Sequence, residues 1–467
     1  MPQTTGPRCR DIVGRKQARI VPEKPDPAKR RRCRTAALTP LILLVQLIHQ
    51  YERTMQIALL HYSAPPVVGG VESVLAQHAR WMTDAGHSVR VVAGRGSQFD
   101  ARVPFVALPL ADSRHPDVLA AKAALDSARV PPDFARLVGE IARSLRASLG
   151  DVDLVIAHNV CSLHKNLALT TALNSLHEYA PGARLILWHH DLAWTTPRYR
   201  AELHDGFPWD LLRSDWPRAK HVVVSESRRR ELADLIGRPP STIAVVPSGV
   251  DAVALFKLEA RTREFVTRLE LLDAEPLLLA PVRITVRKNL ELALRVLASL
   301  RSAGAVPRRE DFPHAALIVT GPPGPHNPAN ADYFARLKAL RAELGLSGAA
   351  HFLAELTDEY LPDVVIADFY RMADALLLTS REEGFGIPVI EAGLARLPIF
   401  CTNIAPLREL GGADATYFSP DAEPGEVAGL IGGRLRGDPA YRAAARVRRE
   451  YVWDRVYAEK IAPLLER

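Results

Sequence analysis

Short apolar runs bounded by turn residues recur along the chain and alternate with longer stretches whose apolar positions fall at helical spacing. QIALLHY, SVRVVAG, LVIAHN, RLILWH, HVVVSE and IAVVPSG form a first series, and PLLLAPVR, ALIVTG, AHFLAE, ALLLTS and PIFCTN a second. Continuous leucine and β-branched runs without polar alternation predict strands covered on both faces. Residues 70–86 and 288–304 read as amphipathic helices between such strands. This βαβα alternation predicts parallel sheets with right-handed crossovers, and two series predict two doubly wound α/β domains with a cleft between them. The boundaries read as 55–251 and 252–445, and residues 446–467 read as a C-terminal helix packing back toward the first domain.

A length of 467 residues suits two or three compact units, and a 48% hydrophobic content supplies their cores. The formal charge of +7 is unevenly placed. Residues 1–54 hold 12 Lys and Arg against 4 Asp and Glu, which leaves the remaining residues at −1. A neutral body lacks the basic stripe that nucleic-acid binding needs, so no nucleic-acid partner is expected. The basic segment PEKPDPAKRRRCR precedes an apolar run at 41–48 that is far shorter than the ~20 residues needed to cross a bilayer. No stable membrane span is expected. Two readings of the tail stay open: a weak targeting segment, or a disordered upstream extension with Met55 as the natural start. Cys9, Cys33, Cys161 and Cys401 show no metal-ligand or disulfide spacing, which predicts free thiols in a reducing cytoplasm.

The most informative chemistry lies in SREEGFGIPVIEAGLARLPIFCTN, residues 380–403. A strand ends, Gly384, Phe385 and Gly386 make a turn, and Pro388 stands where a helix's first turn tolerates its missing N–H. A helix opening from a glycine turn offers backbone amides to a phosphate. Glu383 and Glu391 flank that turn. They would repel a diphosphate, so they suit the hydroxyls of a sugar and a ribose, unless they are ordinary solvated glutamates.

The pattern E-G-F-G-x-P-x-x-E resembles the paired-glutamate motif of GT-B glycosyltransferases, in particular retaining family 4 (glycosyl transferases group 1). Further similarities follow over residues 55–467. Gly69 and Gly70 after the first strand resemble the family's N-terminal glycine loop, which lies toward the donor diphosphate or the acceptor; Glu72 beside them reads as an ordinary first-turn residue. His190-Asp191, at the end of strand RLILW, resembles the family's His-Asp pair and implies a catalytic place for His190 near the transferred sugar, with His158 and His189 as weaker candidates. Arg283 and Lys288 resemble its Gly-Arg-x₄-Lys arrangement for the two phosphates, with Val282 where glycine is usual and Arg287 as a helper or a decoy. The resemblance implies Glu383 at the donor sugar, with a catalytic place, and Glu391 at the ribose. It further implies a nucleotide-sugar donor, UDP- or GDP-linked, a hexose transferred with retention to an unidentified acceptor hydroxyl, no cofactor and no metal. The sequence agrees in having no Asp-x-Asp where a divalent ion would hold the diphosphate. A nucleotide-sugar epimerase of the same fold and a non-catalytic binding protein are the alternatives. The expected location is the cytoplasm, with peripheral contact at the inner face of the membrane left open.

Overall fold

The computed structural model describes residues 54–179, 182–302 and 312–466. The basic tail, with Cys9, Cys33 and the 41–48 run, lies outside them.

Residues 56–467 carry two all-parallel sheets. The first joins β1 (Gln56–Ser63), β2 (Ser88–Arg95), β3 (Phe105–Ala107), β4 (Leu154–His158), β5 (Arg184–His189), β6 (Lys220–Val223) and β7 (Ala244–Val245) in the order β3-β2-β1-β4-β5-β6-β7. The second joins β8 (Leu277–Ala280), β9 (Ala316–Val319), β10 (Ala350–Phe352), β11 (Ala375–Leu378), β12 (Ile399–Thr402) and β13 (Ala415–Phe418) in the order β10-β9-β8-β11-β12-β13. Each sheet winds outward from a central strand, then crosses to that strand's other side. Ile57 is therefore paired with Val89 on one side and Leu154 on the other. All four residues of β8 and of β11 are buried, as strands covered by helices on both faces require. The reversal points, β1/β4 and β8/β11, open crevices at the carboxyl ends of these strands, where ligands of doubly wound sheets sit.

The two halves are joined twice. The chain first passes from β7 into the second half through Val250. It returns after the helix Pro439–Glu450, where the Val250 N–H donates to the Tyr451 carbonyl at 2.7 Å and the Trp453 N–H donates to the Val250 carbonyl at 3.2 Å. Trp453 then stands edge-on to His78 with ring centroids 5.5 Å apart. A side chain on Gly249 would place its Cβ 2.5 Å from the Trp453 ring, so only glycine fits there. Arg184 donates to the carbonyls of Leu464 and Leu465 at 3.0 and 2.9 Å, tying this segment to β5.

The closing stretch is not one continuous helix. The helix Pro439–Glu450 is followed by a turn at Tyr451 and an extended residue at Val452, and the turn Tyr457–Ile461 is π-helical. Pro463 explains the wide turn: its ring crowds the carbonyl four residues back, at Glu459, and it donates no N–H. Among the described residues no helix is long and apolar enough to cross a membrane.

Candidate active site

In the second half, the loop after β8 and the loop after β11 meet over the crevice. Leaving β8, the chain pairs with the 321–324 loop: the Ile284 N–H donates to the Pro322 carbonyl at 2.9 Å, and the Gly324 N–H to the Ile284 carbonyl at 3.2 Å. Gly321 allows this approach, since a Cβ there would lie 2.4 Å from the Val282 carbonyl oxygen. A single turn, Val286–Lys288, then aims Lys288 inward before Asn289, at φ +48°, starts the helix Leu290–Arg301.

Lys288 and Glu383 form a buried ion pair. The two side chains are 9% and 6% exposed, and Nζ lies 2.5 Å from Glu383 Oε1. Ser380 Oγ donates to the same oxygen at 2.6 Å, while Arg287 Nη1 stands 3.5 Å from Oε2 and donates to the Glu382 carbonyl at 3.0 Å. Burial pushes the Lys288 ammonium below its ordinary range, and the Glu383 carboxylate opposes that shift. Thr379 Oγ1 to the Lys288 carbonyl, at 3.0 Å, locks the two loops together.

Arg283 differs. It is exposed, forms no ion pair among the described residues, and lines a cavity of about 230 Å³ with Gly321, Leu353, Tyr360 and Asp363. In the loop after β11, Gly386 at φ +105° takes a left-handed conformation that favours glycine, and a Cβ there would meet Leu407 at 2.7 Å. It follows exposed Gly384 and Phe385 and opens the helix Ile387–Leu394, with Pro388 in its first turn. Glu391, one turn in, accepts from Tyr370 Oη at 2.6 Å. Burial and this carboxylate together hold the Tyr370 phenol above its ordinary range.

The first half's crevice is built from histidines. His190 leaves the end of β5 with its backbone N–H donating to Asn159 Oδ1 at 2.7 Å, and the Asp191 N–H reaches the same oxygen at 3.2 Å. Asn159 ends β4 at φ +58°, a conformation asparagine tolerates well. His190 Nε2 lies 3.1 Å from His158 Nδ1, and His61 Nδ1 lies 2.7 Å from the His158 carbonyl. Burial, aided by His61, pulls His190 down to about 3, so the ring is neutral at physiological pH. His78 is likewise pulled down to about 3 by burial, with His190 adding to the effect. His189, the other weak candidate, faces away into a separate contact with His221 at 3.0 Å.

Glu72, in the first turn of the helix Gly70–Asp84 as expected, also has partners that the sequence did not show. Glu72 accepts from Ser63 Oγ at 2.5 Å and stands 4.0 Å from His61 Nε2. A Cβ on Gly69 would lie 2.1 Å from Glu72 Oε2, so glycine makes the room this carboxylate occupies, whereas Gly70 is exposed with open space around it. Asn159 was missed; its signal was an asparagine directly after an apolar strand. The structure thus brings Lys288 into contact with Glu383, sets Gly384–Gly386 and Glu391 on the turn and helix that follow, and collects Gly69, Gly70 and His190 at the other sheet.

Asp126, His164 and Glu202 are close enough together to suggest a metal cradle. Lys122 Nζ already lies 2.6 Å from Asp126 and 2.7 Å from Glu202, so this is an ion-pair network.

Two doubly wound halves in one chain, joined by a C-terminal segment that crosses back and each opening a crevice at its reversal point, define the GT-B class. A family model described as Glycosyltransferase Family 4 matches residues 68–253, and one described as Glycosyl transferases group 1 matches residues 261–431. The chain is 25% identical over 370 residues to the mannosylglucosylglycerate synthase of Thermotoga maritima, covering 74% of this chain and 80% of that protein. It is 25% identical over 454 residues to the MMP alpha-(1->4)-mannosyltransferase of Mycolicibacterium hassiacum, covering 87% and 97%. A third relative, the D-inositol 3-phosphate glycosyltransferase of Acidothermus cellulolyticus, is 30% identical over 225 residues, 48% of this chain and 46% of that protein. The chain belongs to the family 4, group 1 glycosyltransferases of GT-B fold, and it is a hexosyltransferase.

Proposed function

We propose that this enzyme moves a hexose from a UDP- or GDP-linked donor to an acceptor hydroxyl, with retention at the anomeric carbon and without a divalent ion. The observation that carries the reading is the buried Lys288–Glu383 pair in the β8/β11 crevice, with exposed Arg283 on the same post-β8 loop forming no ion pair among the described residues.

Because Glu383 already offsets Lys288, Arg283 is the cation with charge to spare for a diphosphate, and its planar fork matches two phosphate oxygens. The amides at the start of the helix Ile387–Leu394 add partial positive charge. Lys288 holds Glu383 in one orientation, where its carboxylate accepts from donor-sugar hydroxyls and Lys288 reaches the inner phosphate. Glu391, fixed by Tyr370, accepts from the ribose. Charge that grows on the leaving diphosphate in the transition state is met by groups already in place. Neutral His190 hydrogen-bonds the transferred sugar from the other half, beside the Gly69–Gly70 loop. No side chain is assigned as a nucleophile; the departing phosphate takes the acceptor proton on the same face. Buried unpaired thiols at Cys161 and Cys401 suit a reducing cytoplasm.

The test is donor turnover in EDTA across UDP-, GDP- and ADP-hexoses, first without acceptor and then with small polyols and sugar acids of the kind the relatives' names contain. Slow release of nucleotide and free sugar from one donor, accelerated by an acceptor that gains the sugar with retained configuration, is the expected result. An epimerised nucleotide sugar, or turnover only after Mg²⁺ is restored, overturns the reading.

A further inference from the structure

The helix Pro439–Glu450 lies across the amino-terminal edge of the second sheet, opposite the crevice described above. Arg448 reaches Asp374, the residue before β11, at 2.7 Å, and Arg449 pairs with Glu275, two residues ahead of β8. Arg442, Arg446 and Arg449 follow one another at i, i+4 and i+7, on one face of this helix. Together with Arg436 they line a cavity of about 510 Å³, to which Phe312 and Tyr441 also contribute.

Four arginines share this cavity with one carboxylate, Glu275, which Arg449 already engages. Arg442 and Arg446 are exposed and have no acidic partner among the described residues. Like charges four residues apart destabilise a helix, and no ion pair among the described residues offsets the Arg442–Arg446 repulsion. Beneath them Tyr441 is 8% exposed, and its hydroxyl has no hydrogen-bond partner. The size is within the usual range for small-molecule sites, and guanidinium forks match phosphate oxygens two at a time.

We propose that this cavity binds a small phosphorylated anion at a site separate from the transfer crevice, with Arg442 and Arg446 as its principal contacts. A phosphate group could come from a soluble ester or from a lipid headgroup. A concave site walled by one helix face fits the soluble ester.

The probe is inorganic tripolyphosphate, titrated calorimetrically into the full chain and into the double variant Arg442→Ala/Arg446→Ala. Any binding at the transfer crevice is common to both proteins, so the difference reports the cavity. The expected result is salt-sensitive binding that weakens at least about tenfold in the variant, as loss of charged hydrogen bonds implies. Nucleotide release from the donor, without probe, stays unchanged, since both arginines are remote from the crevice. Affinities that agree within about twofold, or no binding to either protein, overturn the proposal. Sedimentation with phosphatidylglycerol vesicles that depends on the two arginines, without binding of the soluble probe, also overturns it and assigns the surface to lipid. A second variant, Arg442→Gln/Arg446→Gln, keeps the side-chain bulk and must reproduce the loss.

Discussion

The two crevices stand at equivalent points of two similar sheets, yet their chemistry is opposite. At β8/β11 the groups are charged and held by partners: Lys288 with Glu383, Arg287 3.5 Å from the same carboxylate, and Glu391 with the Tyr370 hydroxyl. At β1/β4 they are mostly neutral: buried His61, His78 and His158 and half-buried His190 all have imidazoles held below their ordinary range, and asparagine does the orienting. A topology fixes where a site lies, while its electrostatic character is set by the few residues on the loops. The charged site suits a donor that leaves as an anion, and the neutral one suits hydroxyls.

The sharpest way to break this contrast is to unpair the charged site. Lys288→Ala strands Glu383 in a buried position, so denaturation at pH 7.5 should show a loss of about 3–5 kcal/mol. Turnover of the donor should fall at least about tenfold as an oriented transition-state contact is lost. Lys288→Ala/Glu383→Ala should regain part of the stability and none of the turnover. A double variant as unstable as the sum of the singles would show that the pair is not coupled.

The neutral site should respond to acid instead. His78 is neutral in the fold down to about pH 3 but gains a proton in the unfolded chain below its ordinary 6.5. Between these values the unfolded state binds more protons, so stability is full above pH 6.5 and lost as pH falls. Each such histidine contributes a slope of about 1.4 kcal/mol per pH unit. His78→Phe should flatten the dependence of unfolding free energy on pH by about that much between pH 6 and 4, leaving pH 8 nearly free of slope. An unchanged slope rejects a buried neutral His78.

The smallest effect is expected at Tyr370→Phe, which removes one hydrogen bond to the exposed Glu391. About 1 kcal/mol, or roughly fivefold in the donor KM, is expected with little change in kcat. A fall in kcat with KM unchanged would place Glu391 in the transition state rather than in ground-state binding.

Much of this architecture was legible in the sequence because strands covered on both faces cannot hide. QIALLHY, ALLLTS and their counterparts have no solvent face to supply polar alternation. Glycine spacing was equally readable at Gly386, where turn and helix start lie together in sequence. Relations between distant segments were not. Lys288 and Glu383 are 95 positions apart, and only the side-by-side pairing of β8 and β11 makes them partners. Glu72 looked like any first-turn acid because nothing in the run 63–69 shows that the loop folds back and sets Ser63 Oγ on its carboxylate. Asn159 carries no motif; its side-chain Oδ1 matters because β5 ends beside it. The wide turn in the closing segment was available locally in Pro463, but the amphipathic pattern continues through it.

The return of the C-terminal segment has a consequence for biosynthesis. Trp453 covers His78, Tyr457 stacks on Trp81 with centroids 6.1 Å apart, and Arg184 waits for the carbonyls of Leu464 and Leu465. Domains generally fold as they leave the ribosome, amino-terminal half first. Here the first half keeps an apolar seam open until translation has passed the whole of the second, so a nascent chain stalled inside the second half exposes Trp81 and His78 as a surface for chaperones.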